Sequence, residues 1–360
     1  MQVDTELDAT LTPLVEALET IISVQRHLHP IMIEQLKEKM RVRREPLERT
    51  RERLKSLKWL EGSDGIGRSV DTSCDLTLKA IAGFIDVPSD PEGIFMAYKA
   101  LRYAPYAMEA LYPAVNISRT ASRFFLEPNC RADDELLVRI EMAPKDEYTG
   151  VLHFNNGREE KGGCSVYVPE YYNPAIAYPV VFALHGGAGH GRAFLWTWLR
   201  EARSRGFILV SPTARVDTWS IMQPEVDTEN IEDILTAVSE RWNVNFSRLL
   251  MTGMSDGGTF TYMSGLANAS PFTHLAPIAA SFHLMMIQVI GPANIRGRPI
   301  YLTHGGQDWM FDVEVARVAK HFLEEQGANL VYREISDLSH TYPRDENPRI
   351  LDWFLGGLAV

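Results

Sequence analysis

The sequence predicts an α/β fold built on a mostly parallel central sheet with helices on both faces, preceded by a mainly helical N-terminal region. Three observations lead there. From residue 179 onward, short apolar runs alternate with helical stretches, the pattern of a covered parallel sheet. Residues 10–115, by contrast, carry long amphipathic runs and few strand signals. Lastly, the apolar run Leu249-Leu250-Met251 breaks into Gly253-Met254-Ser255-Asp256-Gly257-Gly258, a buried strand ending on a serine fenced by glycines.

A chain of 360 residues accommodates one large domain or two. The change of pattern sets the expected division at residues 1–125, a helical region, and 126–360, the α/β domain. In the first region Ile33, Met40, Leu47 and Leu54 recur every seven residues, with Leu36 and Leu57 at the matching offset of three. Arg43 and Thr50 interrupt that second row, and Pro46 is expected to kink or restart the helix. The pattern fits a helix packed within its own domain better than a coiled coil. Residues 31–60 hold ten Lys/Arg against five Asp/Glu. This reads as a solvated charged face, or more sharply as a docking surface for an acidic partner. Such a helical surface also suits homo-oligomer formation. His27 and His29 lie two apart and point away from each other on a helix, which argues against a metal site.

Period-two patterns then predict strands at "ELLVRIEM" (135–142), "TGVLHF" (149–154) and "GGCSVYVP" (162–169), separated by turns at 144–146 and 155–157. The strand "PVVFAL" (179–184) precedes a helix near 192–205, and "FILV" (207–210) follows it. A helix over 228–242 leads into "LLMT" (249–252), and another follows Ser255. "LAPIAA" (275–280), "PIYLT" (299–303), a helix over 313–326, "VYREI" (331–335) and a last helix complete the order.

Bulk composition narrows the partners. Apolar content of 45% and charged content of 23% are those of a globular protein. A net charge of −11 argues against a general nucleic-acid binder, whose footprint is basic. Cys74, Cys130 and Cys164 are far apart and show no metal-ligand spacing, so reduced thiols are expected. "MQVDTELDAT" lacks the apolar core of a secretory signal, and no apolar stretch is long enough to span a membrane. A cytoplasmic location is the resulting expectation.

The chemistry centres on Ser255, set between a buried strand and a helix. Gly253 and Gly257 leave room for a sharp turn, and the helix N-terminus favours developing negative charge. A serine hydroxyl needs a base, and the base needs an orienting acid. Downstream, Asp308 and Asp312 follow the strand 299–303, and His340 follows the strand 331–335. Asp308 sits past the Gly305-Gly306 turn, where a loop can aim its carboxylate at His340, whereas Asp312 stands directly before a helix as a natural N-cap. Gly186 and Gly187 follow the strand 179–184, where backbone N–H groups can approach a substrate. The expected oxyanion hole is the Asp256 N–H with that of Gly187 or Ala188. His185 is expected to hold its loop rather than to catalyse.

These pieces together resemble the α/β-hydrolase superfamily, and within it phospholipase/carboxylesterase enzymes, feruloyl esterases and polyhydroxybutyrate-depolymerase-like esterases. The matching stretches are "CSVYVPEYYNPAIAYPVVFALHGGAG", "DTENIEDILTAVSERWNVNFSRLLMTGMSDGG", "RPIYLTHGGQDWMFDVEVARVAKHFLEEQG" and "LSHTYP", over residues 164–360. The resemblance implies Ser255 as nucleophile, Asp308 as acid, His340 as base, and an oxyanion loop at His185-Gly186-Gly187-Ala188. It implies hydrolysis of a small-molecule ester through an acyl-enzyme, with no metal or organic cofactor. Three loops are expected to contact substrate. They carry Trp219 and Met222; Phe282, His283 and Met285; and Trp309 and Phe311, which favours small to medium apolar or aromatic esters. Two alternatives stay open: a serine peptidase or amidase of the same superfamily, and a non-catalytic hydrolase-fold binding protein. Residues 1–125 resemble no family.

Overall fold

A computed structural model of the chain describes residues 5–57, 59, 63–88, 92–144, 146–283, 286 and 290–356. It divides into two compact units, Met1–Glu141 and Met142–Val360.

The first unit is helical: α1 (Thr5–Arg26), α2 (Ile33–Ser56), α3 (Asp64–Ile85), α4 (Gly93–Leu101), α5 (Tyr103–Leu111), α6 (Arg119–Phe124) and α7 (Asp134–Glu141). In α1, Leu7, Leu11, Leu14, Leu18 and Ile21 form one buried stripe at steps of three and four, the spacing of a single helix face. In α2 the seven-residue row Ile33, Met40, Leu47 and Leu54 is buried, and α2 packs on α1 and α3 of its own unit. Pro46 lies inside this one helix and does not restart it. Thr50, which breaks the apolar row in sequence, is buried as well.

The basic excess of α2 is largely matched by carboxylates. Arg43 pairs with Glu16 at 2.5 Å, Arg44 with Glu48 at 2.9 Å, Arg51 with Asp75 at 2.8 Å and Lys55 with Glu52 at 2.8 Å. Each such surface pair adds little stability. Together they form a mixed-charge solvated face rather than an uncompensated basic one.

Residues 135–142 are not the strand that their alternation suggests. All but Met142 lie in α7, started by the Asp133 carboxylate, whose Oδ1 accepts the Leu136 N–H at 3.0 Å. Leu136 is buried and Leu137 and Ile140 half-buried, a helical grouping, while Val138 is exposed. The helical unit therefore runs to residue 141 rather than stopping near 125.

The second unit is an eight-stranded sheet. Its strands are β1 (Gly150–Phe154), β2 (Cys164–Val168), β3 (Tyr178–Leu184), β4 (Ile208–Pro212), β5 (Val244–Met254), β6 (His274–Ile278), β7 (Pro299–Gly305) and β8 (Asn329–Ile335). The order is β1-β2-β4-β3-β5-β6-β7-β8. β1, β2 and β4 pair antiparallel at one edge, and β4-β3-β5-β6-β7-β8 run parallel. β3 is buried along its whole length, which explains its continuous apolar sequence. The connecting helices are α8 (Gly191–Phe194), α9 (Leu199–Arg205), α10 (Glu225–Arg241), α11 (Asp256–Gly265), α12 (Val313–Glu325) and α13 (Asn347–Leu355). Ile231, Leu235 and Val238 of α10 join Val180, Phe182, Val210 and Met251 of the strands in the core. Parallel strands place all their C-terminal ends on one edge, and loops there gather residues distant in sequence. Among the described residues no helix is long and apolar enough to cross a membrane.

His274, at the start of β6, packs edge-on against Trp353 and Phe354 of α13, with ring centroids 5.0 and 5.1 Å apart. Burial, helped by Arg248 and Arg298, pushes its imidazole down from 6.5 to about 4. Between these values the unfolded chain binds a proton that the folded chain does not, so stability is lost as pH falls from 6.5 toward 4. Thermal melting followed across this window should show a falling midpoint, and His274→Phe should make the fall shallower. An equally steep fall in the variant refutes the assignment.

Candidate active site

Ser255 joins β5 to α11 with φ 55° and ψ −119°, a left-handed conformation that non-glycine residues avoid. Its N–H donates to the Ile278 carbonyl of β6 at 2.9 Å, and its carbonyl accepts the Thr259 N–H at 2.8 Å. The flanking glycines are required by space. A Cβ on Gly253 would lie 2.4 Å from the Gly257 carbonyl oxygen, and one on Gly257 would lie 2.4 Å from that of His185. The turn thus pulls strand and helix together and projects the hydroxyl from the sheet edge.

His340, in the loop after β8, faces this hydroxyl with its Nε2 3.1 Å from Ser255 Oγ. Its Nδ1 lies 2.8 Å from Asp308 Oδ2, in the loop after β7. Asp308 Oδ1 accepts the N–H groups of Met310 at 2.9 Å and Phe311 at 2.8 Å. Burial alone would raise the Asp308 carboxyl. The His340 contact and the two backbone donors outweigh it and hold the group below its ordinary range. An ionised carboxylate only accepts, so Nδ1 carries the hydrogen and Nε2 of the neutral ring is left to receive the serine proton. All three side chains are at most 8% exposed. Asp312 lies apart from this line. It is exposed and caps α12, its Oδ1 accepting the Glu314 N–H at 2.9 Å.

The loop after β3 supplies the backbone opposite the serine. His185 is buried between its neighbours: its Nδ1 lies 2.7 Å from the Gly186 carbonyl and its Nε2 accepts the Ala214 N–H at 3.1 Å. Burial depresses its imidazole to about 4, so it stays neutral and holds the loop. Ala188 spends its N–H on the Asp217 carbonyl at 3.1 Å. Of the two donors expected from this loop, the Gly187 N–H is therefore the one left for a ligand. The Asp256 N–H stands at the first position of α11, where intrahelical partners are lacking. The Asp256 carboxylate turns aside, its Oδ2 accepting from Thr218 Oγ1 at 2.5 Å.

The side chains expected to touch substrate scatter. Trp219 is buried, stacked on Phe260 at 5.2 Å, and donates its indole N–H to the His185 carbonyl at 2.8 Å. Phe282 packs in the core against Tyr262 and Phe322. Met222 is 87% exposed and His283 is exposed too. Trp309 is half-buried, and Met285 lies outside the described residues. The Phe311 ring stands against the site, edge-on to His340 at 5.2 Å.

Two features escaped the sequence reading. Tyr342 anchors the His340 loop by wedging edge-on between Phe194 at 5.4 Å and Trp198 at 6.5 Å, and its hydroxyl donates to Asn347 Oδ1 at 2.8 Å. His304, the penultimate residue of β7, is fully buried beside Asp308. The only sequence sign of either is its place next to a site residue. Among the described residues no group of three or more His, Cys, Asp or Glu is arranged to hold a metal ion.

No family model matches the chain. Over 196 residues, 53% of its length, it is 28% identical to the bifunctional acetylxylan esterase/xylanase XynS20E of Neocallimastix patriciarum. The chain spans 28% of that relative's length. Among solved structures, the bifunctional GH43-CE of Bacteroides eggerthii is similar with a TM-score of 0.50 and 15% identity, over 59% of this chain and 36% of that one. An acetyl xylan esterase from Aspergillus awamori has a TM-score of 0.44 and 14% identity, over 57% of this chain and 98% of its own. At such identities a structural likeness speaks to fold alone. With the strand order and the sharp turn at Ser255, it identifies the second unit as an α/β-hydrolase fold.

Proposed function

We propose that the chain is a serine carboxylic-ester hydrolase working through an acyl-enzyme, with short-chain acyl esters, acetylated carbohydrate foremost, as substrates. The observation carrying this reading is the line from Ser255 Oγ through His340 to Asp308, at 3.1 and 2.8 Å, set on the strained turn. Ser255 Oγ attacks the ester carbonyl carbon as His340 Nε2 takes its proton. The N–H groups of Gly187 and Asp256 receive the oxyanion, and Asp308 stabilises the imidazolium. Collapse expels the alcohol, protonated from Nε2. Water, deprotonated by the same nitrogen, then attacks the acyl carbon, and collapse releases the acid as Nε2 returns the proton to Ser255 Oγ.

Two points support a short acyl group. The matched relative is named an acetylxylan esterase. In addition, Trp219 and Phe282, two of the bulky side chains expected to line a pocket for apolar or aromatic esters, are committed to the core.

Ser255→Ala should leave the protein folded, abolish labelling by a fluorophosphonate probe and cut ester turnover to below about a thousandth. Persistent labelling removes Ser255 as nucleophile, and an unlabelled parent protein favours the non-catalytic binding reading. On p-nitrophenyl esters of graded length, kcat/KM should be highest for acetate, with acetate also released from acetylated xylan. Faster turnover of octanoate sinks the short-acyl assignment, and faster cleavage of peptide anilides favours the peptidase.

The two aspartates separate acid from cap. Asp308→Ala should lower turnover by roughly four orders of magnitude, as for other triad acids. Asp312→Ala should cost about 1 kcal/mol of stability and keep most activity. Turnover and melting temperature of both variants decide it: an inactive Asp312→Ala beside a working Asp308→Ala reverses the roles.

A further inference from the structure

Two histidines flank the Asp308 carboxylate, and the reaction above uses only one. His304 is fully buried, with its Nε2 2.9 Å from the Phe311 carbonyl oxygen and 3.5 Å from Asp308 Oδ2. A carbonyl only accepts, so Nε2 carries a hydrogen and donates it. Among the described residues Nδ1 has no hydrogen-bond partner. A buried polar atom left unmatched is a cost that an apolar side chain would avoid. The contacts this imidazole does make are at Nε2.

We infer that His304 is a positioning residue, which acts through Asp308 by closing the turn that aims its carboxylate at His340. This rests on the hydrolase reading above. The turn from 308 to 311 is fixed at both ends. Asp308 Oδ1 gathers the N–H groups of Met310 and Phe311, and the Phe311 carbonyl is gripped by His304 Nε2–H. With Oδ1 occupied, Oδ2 is the oxygen left for His340, and the His304 N–H dipole stands beside that same oxygen. The grip also sets the Phe311 ring, which packs edge-on against the His340 imidazole at 5.2 Å. Losing it frees the carboxylate and that ring together. The charged and titratable groups around His304 are Asp308 and His340 on the loops and Glu334, its register partner on β8, which Arg317 holds at 2.6 and 2.9 Å.

The test uses the full chain and two readouts, the rate of fluorophosphonate labelling of Ser255 and kcat and KM for p-nitrophenyl acetate. His304→Leu should slow labelling and kcat by about 10- to 100-fold, the cost of a small misplacement of catalytic groups, with KM nearly unchanged. His304→Gln places an amide N–H near the position of Nε2 and should recover most of the rate. His304→Asn, too short to reach Phe311, should not. In an Asp308→Ala background His304→Leu should add no further loss. The inference is overturned if His304→Leu labels at the parental rate, if Asn performs as well as Gln, or if the Leu loss persists undiminished without Asp308. Should the Leu variant melt out, the Gln and Asn pair decides alone. An unlabelled parent protein overturns the hydrolase reading and this inference with it, whereas a labelled parent with an equally fast Leu variant overturns only the role of His304.

Discussion

The backbone of Ser255 is the constraint on which the rest of the site depends. Its conformation costs about 1–3 kcal/mol for a residue with a side chain, and it survives only because its surroundings leave no alternative. Part of that restraint comes from a neighbouring strand. The Ser255 N–H is held by the Ile278 carbonyl, and the next N–H, that of Ala279, donates to the Thr303 carbonyl of β7 at 2.9 Å. One peptide at the end of β6 therefore ties the serine turn to the strand that delivers Asp308. The register of three parallel strands sets the distance between the proposed nucleophile and the proposed acid. A slip in any of them would move the hydroxyl relative to the carboxylate, and a Cβ at Gly253 or Gly257 would force the strand and helix apart at this turn.

Much of this was legible in the sequence where burial on both faces produced unbroken apolar runs. β3, β5 and β7 were recognisable for that reason, and Ser255, Asp308 and His340 were legible as residues following strand ends. Pattern failed where the same letters suit two periods. "ELLVRIE" alternates well enough for a strand, but Leu136, Leu137 and Ile140 also share one side of a helix, and the Asp133 cap decides in favour of the helix. Position relative to the core was equally hidden. Trp219 looks like a loop aromatic, yet stacking on Phe260 and donating to the His185 carbonyl draw it inside. His304 was invisible because its partners, Asp308 and Phe311, meet it only once the turn closes.

The loop after β4 shows how separate elements are made to act as one site. Its Ala214 N–H fixes the His185 ring and its Trp219 indole fixes the His185 carbonyl, so the residue before the glycine pair is held from two directions. Its Asp217 carbonyl takes the Ala188 N–H, which selects Gly187 as the remaining donor. Its Thr218 hydroxyl draws the Asp256 carboxylate aside, and that carboxylate sits where a side chain at 187 would go, 2.6 Å from the Cβ that Gly187 lacks. Gly187 and Asp256, the two proposed oxyanion donors, belong to different strand ends, and this one loop grips both. Donors held this way need no reorganisation when charge develops, and in a site this buried each is worth more than it would be in water. The negative charge of Asp256 works against an oxyanion, which makes its hydrogen bond to Thr218 the contact that keeps the opposing charge engaged elsewhere.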